Sequence, residues 1–127
     1  MKRLSTEQVK NLHAMLIART GGLGGVRDIG LLESALHAPF QTMYGQPLVG
    51  SIEEQAAYLG YALIKNHAFI DGNKRIGMLV MLTFLELNGV VLTAQDNDII
   101  AAGFGVASDD MDRQELLAWI KKHRENG

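Results

Sequence analysis

The residues best suited to chemistry lie together, in the run Asn66-His67-Ala68-Phe69-Ile70-Asp71-Gly72-Asn73-Lys74-Arg75. It separates two strongly apolar stretches, and five of the nine residues from His67 to Arg75 are polar or charged. A loop that ends at a helix N-terminus offers free backbone N–H groups and the positive end of the helix dipole. Gly72 lets backbone approach a ligand closely. Asn73, Lys74 and Arg75 add a donor and two cations at a helix start, where positive charge is unfavourable unless an anion completes the site. With a nucleoside triphosphate as that anion, each residue has a role. Asp71 is a hard oxygen ligand for Mg²⁺ shared with phosphates. Arg75 can grip phosphate oxygens bidentately and Lys74 can act as a point charge on them. His67 titrates near neutrality and can take a proton from an attacking hydroxyl. Phe69 anchors the loop in the core while its neighbours face out. The same residues also suit an ordinary turn and cap, since Asp-Gly-Asn is a common turn signal and Lys and Arg are good helix formers.

The elements that must position this loop read as helices almost throughout, giving an all-α fold of about six helices with a central buried helix. Ser5 and Gln8 form a capping box flanked by the Leu4–Val9 staple, and Val9, Leu12, Leu16 and Ile17 make an apolar stripe. Gly21, Gly22, Gly24 and Gly25 then break the chain into a flexible turn. Asp28 caps a second helix carrying Leu31, Leu32, Ala35 and Leu36, which Pro39 helps to end. Phe40 to Gly50 has no helical stripe and reads as a short hairpin or flap. Ser51 and Glu54 form another capping box, opening a helix to about Asn66. The next helix runs from Asn73 or Lys74 to about Asn88 and is apolar on all sides, as the centre of a bundle requires. Val90 to Leu92 is briefly extended. Further helices cover Gln95 to Val106 and the segment from Asp112 onward, with Lys121, Lys122, His123 and Arg124 near its C-terminus.

The bulk composition excludes several classes. The chain has 127 residues and 47% apolar content, which fits one domain over residues 1–127. A formal charge of −2 argues against broad nucleic-acid binding. Without cysteine there is neither disulfide nor thiolate chemistry, which suits a reducing cytoplasm. The basic start Met1-Lys2-Arg3 is followed by no apolar stretch, so no signal peptide is expected. Ile76 to Leu87 is too short to span a bilayer, so no membrane association is expected.

The run His67-Ala68-Phe69-Ile70-Asp71-Gly72-Asn73-Lys74-Arg75 resembles the signature of the Fic/Doc family: His, any residue, Phe, any residue, an acid, Gly or Ala, Asn, then two residues of which the second is Arg. Every fixed position matches. The segment from Gly22 to Leu36, the chain length and the small helical architecture are similar to the death-on-curing branch. AMP-transferring members usually have Gly where this chain has Lys74 and a second Arg where it has Met78, and both departures are shared with that branch. The resemblance implies a toxin that moves the γ-phosphate of ATP, with Mg²⁺, to a Ser or Thr hydroxyl of a protein, with elongation factor Tu as the family's best-known target. It makes His67 the general base, Arg75 catalytic, Asp71 the metal ligand, and Gly72, Asn73, Lys74 and Arg75 the phosphate cradle. It also makes the Phe40–Gly50 region a flap that pairs with a target segment, with Tyr44 and Gln46 as candidates there. The family's auto-inhibitory run (Ser or Thr, three residues, Glu, then Gly or Asn) is absent, so restraint is expected from a separate antitoxin covering the site. AMP transfer to a protein hydroxyl, or nucleotide binding without turnover, are the competing readings.

Other polar residues invite plainer readings. His13, His37 and His123 read as surface or partly buried side chains, and Arg27 and Asp28 as an ion pair or helix cap first and as residues with a role near the site second. Asp109, Asp110 and Asp112 lack the spacing of a calcium loop and read as a solvated helix start.

Overall fold

A computed structural model describes residues 1–125; residues 126 and 127, the end of the expected domain, lie outside it. The chain forms helices α1 (Thr6–Thr20) and α2 (Ile29–His37), a 3-10 turn (Ala38–Phe40), strands β1 (Thr42–Met43) and β2 (Gln46–Pro47), and helices α3 (Ile52–Asn66), α4 (Asn73–Leu87), α5 (Asp96–Ala107) and α6 (Arg113–His123). The all-α expectation of about six helices with one short hairpin holds.

The helix starts follow their caps. Ser5 Oγ accepts from the Gln8 N–H at 3.1 Å, and the Gln8 side chain accepts from the Ser5 N–H at 2.8 Å. Asp28 caps α2 through the Leu31 N–H at 3.0 Å, and Asp112 and Glu115 close a reciprocal box on α6. At α3 only half of the expected box forms: Ser51 Oγ accepts from Glu54 N–H at 3.1 Å. Pro39 sits in the 3-10 turn that follows α2. Leu92 forms one antiparallel bridge with Arg124, which accounts for the extended run after α4.

Two helices make the centre. Eight of fifteen residues are buried in each of α3 and α4, against two of fifteen in α1. Their close approach needs glycine: a Cβ on Gly77 would lie 2.5 Å from Ile64 Cγ1 and 3.1 Å from the Gly60 carbonyl. Phe84, Leu85, Leu63, Ile64 and Ile76 fill the space between, joined by Leu116 and Ile120 of α6. Burying side chains of this size is worth roughly 1.5–3 kcal/mol each. The covering of α4 is not complete on all sides, however. Leu79 and Leu82 are half-buried because that side of the helix borders an open groove, and Leu87, its last residue, is exposed.

Candidate active site

The site begins where α3 stops. His67 adopts a left-handed conformation (φ 50°, ψ 47°) as the C-cap of α3. Such a conformation costs a residue with a Cβ about 1–2 kcal/mol, and neighbouring hydrogen bonds hold it. Arg27 Nε donates to the His67 carbonyl at 2.7 Å and Nη2 to the Asn66 carbonyl at 3.2 Å. Asn66 Nδ2 donates in turn to the Leu31 carbonyl at 3.0 Å. Carbonyls left without partners at a helix end are thus satisfied. His67 itself is exposed, and its ring makes no hydrogen bond among the described residues.

From His67 the chain turns inward and out again to the start of α4. Phe69 is 1% exposed, as its role as anchor requires, but Ala68 is also fully buried, so only one of its two neighbours, Ile70, faces solvent. Ala68 turns inward because the segment 25–28 crosses over it. Arg27 and Asp28 N–H groups both donate to the Ala68 carbonyl, and Ile70 N–H donates to the Gly25 carbonyl at 3.1 Å. The glycine-rich stretch expected as a flexible turn is therefore a strap pinned along the loop, with Val26 bridged to Phe69. Arg27 serves the site through carbonyls of the α3 terminus, whereas Asp28 is a cap.

Asn73 departs from the expectation of a side-chain donor to phosphate. Its Oδ1 accepts from the Phe69 N–H and its Nδ2 donates to the Phe69 carbonyl, both at 3.0 Å, and the residue is 8% exposed. Both ends of the amide are used in closing the loop. What Asn73 offers a ligand is its backbone N–H, in the first turn of α4. The first backbone bond of that helix runs from Ile76 N–H to the Gly72 carbonyl, so the N–H groups of Asn73, Lys74 and Arg75 have no helical acceptor.

Asp71 stands at the mouth of this helix start, its side chain about half exposed. Its Oδ2 accepts from the Leu23 N–H at 3.1 Å and its Oδ1 from the Gly72 N–H at 2.8 Å. These two bonds, aided by the Arg75 guanidinium, hold its carboxyl below its ordinary pKa against an opposing effect of burial. Gly22, at φ 113°, allows the strap to lie here, since a Cβ on it would fall 2.5 Å from Asp71 Oδ2. Arg75 Nη1 donates to Thr20 Oγ1 and, at 3.0 Å, to the Gly21 carbonyl, while Nη2 lies 3.9 Å from Asp71 Oδ1. Its cation is thus fastened to the C-terminal end of α1, beside the open N–H groups.

Lys74 is exposed and points towards α5, with Nζ 5.0 Å from the centre of the Phe104 ring. Lys74 and Arg75 both line a mostly apolar groove of about 570 Å³ between α1, α4 and α5. Met78 is buried on its floor and offers no group to an anion.

The hairpin has a different character. Thr42 pairs with Pro47 and Met43 with Gln46, around a turn with positive φ at Tyr44 (52°) and Gly45 (77°). Tyr44 is 97% exposed and Gln46 is exposed as well. Among the described residues, no hydrogen bond joins either one to the His67–Arg75 loop.

One site residue escaped the sequence reading. His13 is 2% exposed, not a surface or partly buried side chain; its ring stacks on Phe69 at 3.9 Å and its Nε2 lies 2.7 Å from the Asp71 carbonyl. A polar residue four positions after buried Val9 and four before half-buried Ile17 was the signal available. His37 is exposed and His123 is half-buried, as expected.

The donor set suits a Mg²⁺ ion shared with a triphosphate. Asp71 is ionised, and each of its oxygens keeps lone-pair capacity beyond the one N–H it accepts. Among the described residues no cluster of three or more His, Asp or Glu side chains could hold a metal alone, the Asp109–Asp112 group included. An ion at Asp71 would therefore complete its shell with phosphate oxygens and water, as Mg²⁺ commonly does. No helix among the described residues is long and apolar enough to cross a membrane.

The chain is 45% identical to the toxin Doc of Mycolicibacterium smegmatis over 101 residues, covering 77% of each chain. It is 34% identical to the protein kinase doc of Escherichia phage P1 over 90 residues, covering 71% of each. Residues 3–85 match the model of the Fic/DOC family, a span that takes in the strap, the hairpin and the whole His67–Arg75 loop. The chain belongs to the Fic/DOC family.

Proposed function

We propose that this protein is the toxin of a toxin–antitoxin pair, acting in the cytoplasm by moving the γ-phosphate of ATP to a Ser or Thr hydroxyl of a protein, with elongation factor Tu as the expected target and arrest of translation as the result. The observation that carries the reading is one short loop that holds an exposed imidazole, His67, in a left-handed cap at its start and, at its end, a helix start with open N–H groups, an ionised Asp71 and the Arg75 cation. The names of the two relatives, a toxin and a protein kinase, support it.

In this reading the N–H groups of Asn73, Lys74 and Arg75 receive phosphate oxygens, assisted by the positive end of the α4 dipole. Arg75 neutralises charge on the triphosphate, and Lys74 swings from Phe104 to do the same. Bound Mg²⁺ would draw charge from the phosphates, with Asp71 as its protein ligand. His67 accepts the proton of the target hydroxyl as that oxygen attacks the γ-phosphorus; the bond to the β–γ bridging oxygen breaks and ADP leaves. Catalysis then consists largely of positioning and charge neutralisation. The hairpin presents its exposed edge to a target segment as an added strand. An antitoxin segment laid over the site supplies the restraint that this chain does not carry itself.

The test is incubation of the purified protein with Mg²⁺ and ATP labelled at the γ-position, in cell extract and with purified elongation factor Tu. A labelled Ser or Thr on the target is expected. Label retained only when the α-phosphate carries it would mean AMP transfer instead, and nucleotide binding with no labelled product would leave a non-catalytic binder.

A further inference from the structure

We propose that His13 is a positioning residue of the transfer site: from inside α1 it fixes the peptide plane that joins Asp71 to Gly72, and thereby aims both the Asp71 carboxylate and the start of α4. For its effect on the reaction the proposal rests on the phosphotransfer reading; for its effect on the loop it does not.

A carbonyl oxygen can only accept, so the 2.7 Å contact between His13 Nε2 and the Asp71 carbonyl requires that Nε2 carry the proton. The Asp71 carbonyl and the Gly72 N–H belong to one planar peptide unit. Holding its oxygen on one side fixes the direction of its N–H on the other, and that N–H donates to Asp71 Oδ1 at 2.8 Å. A rotation of the plane would break both bonds and turn the carboxylate away from the helix start. The ring has no freedom to follow such a rotation, since it is 2% exposed and stacked on Phe69 with 13° between the planes. Gly72 completes the fit. A Cβ there would lie 3.1 Å from Ile17 Cδ1, tighter than side chains normally pack, and would reach ordinary contact with His13 Nε2 at 3.6 Å, so Gly72 lets the loop lie close against α1. A residue that only filled this space would need no N–H: a phenyl ring, slightly larger than an imidazole, is also flat and can stack on Phe69.

That distinction defines the experiment. His13→Phe keeps the stack and deletes the donor, whereas His13→Gln loses the stack and keeps a donor of comparable reach. In folded His13→Phe, the Gly72 amide should exchange with solvent roughly tenfold faster, the loss of one buried hydrogen bond. Amides in the middle of α3 should keep their wild-type rates. The kcat for transfer should fall roughly tenfold, because small misplacements at a reacting centre are amplified in rate, with little change in KM for the protein target. His13→Gln should recover most of both effects. Wild-type exchange at Gly72, or wild-type kcat, in a folded His13→Phe overturns the proposal. A readout on the unaltered protein decides the matter even if the variant does not fold: nitrogen-15 spectra should show His13 protonated at Nε2, and a bare Nε2 overturns it. If the unaltered protein transfers nothing, the phosphotransfer reading falls, while amide exchange and the state of the ring still decide what His13 does.

Discussion

The His67–Arg75 loop and the Thr42–Pro47 hairpin are both short excursions from a helical scaffold, yet they are held in opposite ways. The loop is fastened from every side: the strap bonds Ala68, Ile70 and Asp71, α1 holds Asp71 and Arg75, and Asn73 closes it from within. The hairpin has its own two-residue pairing, a Leu48 N–H to Gln41 carbonyl bond at 3.0 Å, and a buried Val49 at its base. Everything beyond that base is exposed. A site that stabilises developing charge gains from donors already in place. A surface that accepts another chain's backbone needs free pairing groups and room for a partner. The two excursions differ as the tasks proposed for them differ.

Substitutions should separate the two regions, and the largest effect belongs to the loop. His67→Ala removes the proposed base and should lower transfer by roughly 10²–10⁴-fold, with stability within about 0.5 kcal/mol of wild type because the ring is exposed. Transfer kinetics and urea denaturation check the two halves of this expectation, and a variant that still arrests growth removes His67 from its role. Next comes Asn73→Ala, which leaves the Phe69 N–H and carbonyl without their partners and should cost roughly 2–4 kcal/mol. A melting temperature close to wild type would mean that the loop is not closed by this amide.

A smaller effect concerns acid. The folded-state pKa of Asp71 is lowered, by the Leu23 N–H bond foremost and then by Gly72. Its contribution to stability is therefore complete above the ordinary aspartate value of about 3.9, and is lost as pH falls through the folded value. Asp71→Asn should flatten this part of the acid limb while leaving the slope at neutral pH unchanged, as urea melts at a series of pH values would reveal. The smallest effect on stability belongs to the hairpin. Tyr44→Ala should change unfolding free energy by less than about 0.5 kcal/mol, yet raise KM for the protein target while leaving KM for ATP alone. Equal changes in both would place Tyr44 outside target docking.

Much of the scaffold was legible in the residues, because helix signals are local. Ser5, Asp28, Ser51 and Asp112 each start a helix where a capping side chain predicts one. The turn at Tyr44–Gly45 follows from a stretch without helical periodicity. The charged loop stood out because polar residues interrupt two apolar stretches. The sequence by itself therefore determined the class of fold, the order of the helices and the segment proposed to carry the chemistry.

Only the tertiary structure decided how that segment is held. Asn73 reads as a free donor until Phe69 is seen folded back against it, and Gly22 to Gly25 read as slack chain until they lie against Asp71 and Ile70. His13 lies 58 residues from the carbonyl it holds. A cap or an apolar stripe depends on neighbours three or four residues away, which any reading along the chain can see. A hydrogen bond across tens of residues exists only once packing has brought its two ends together.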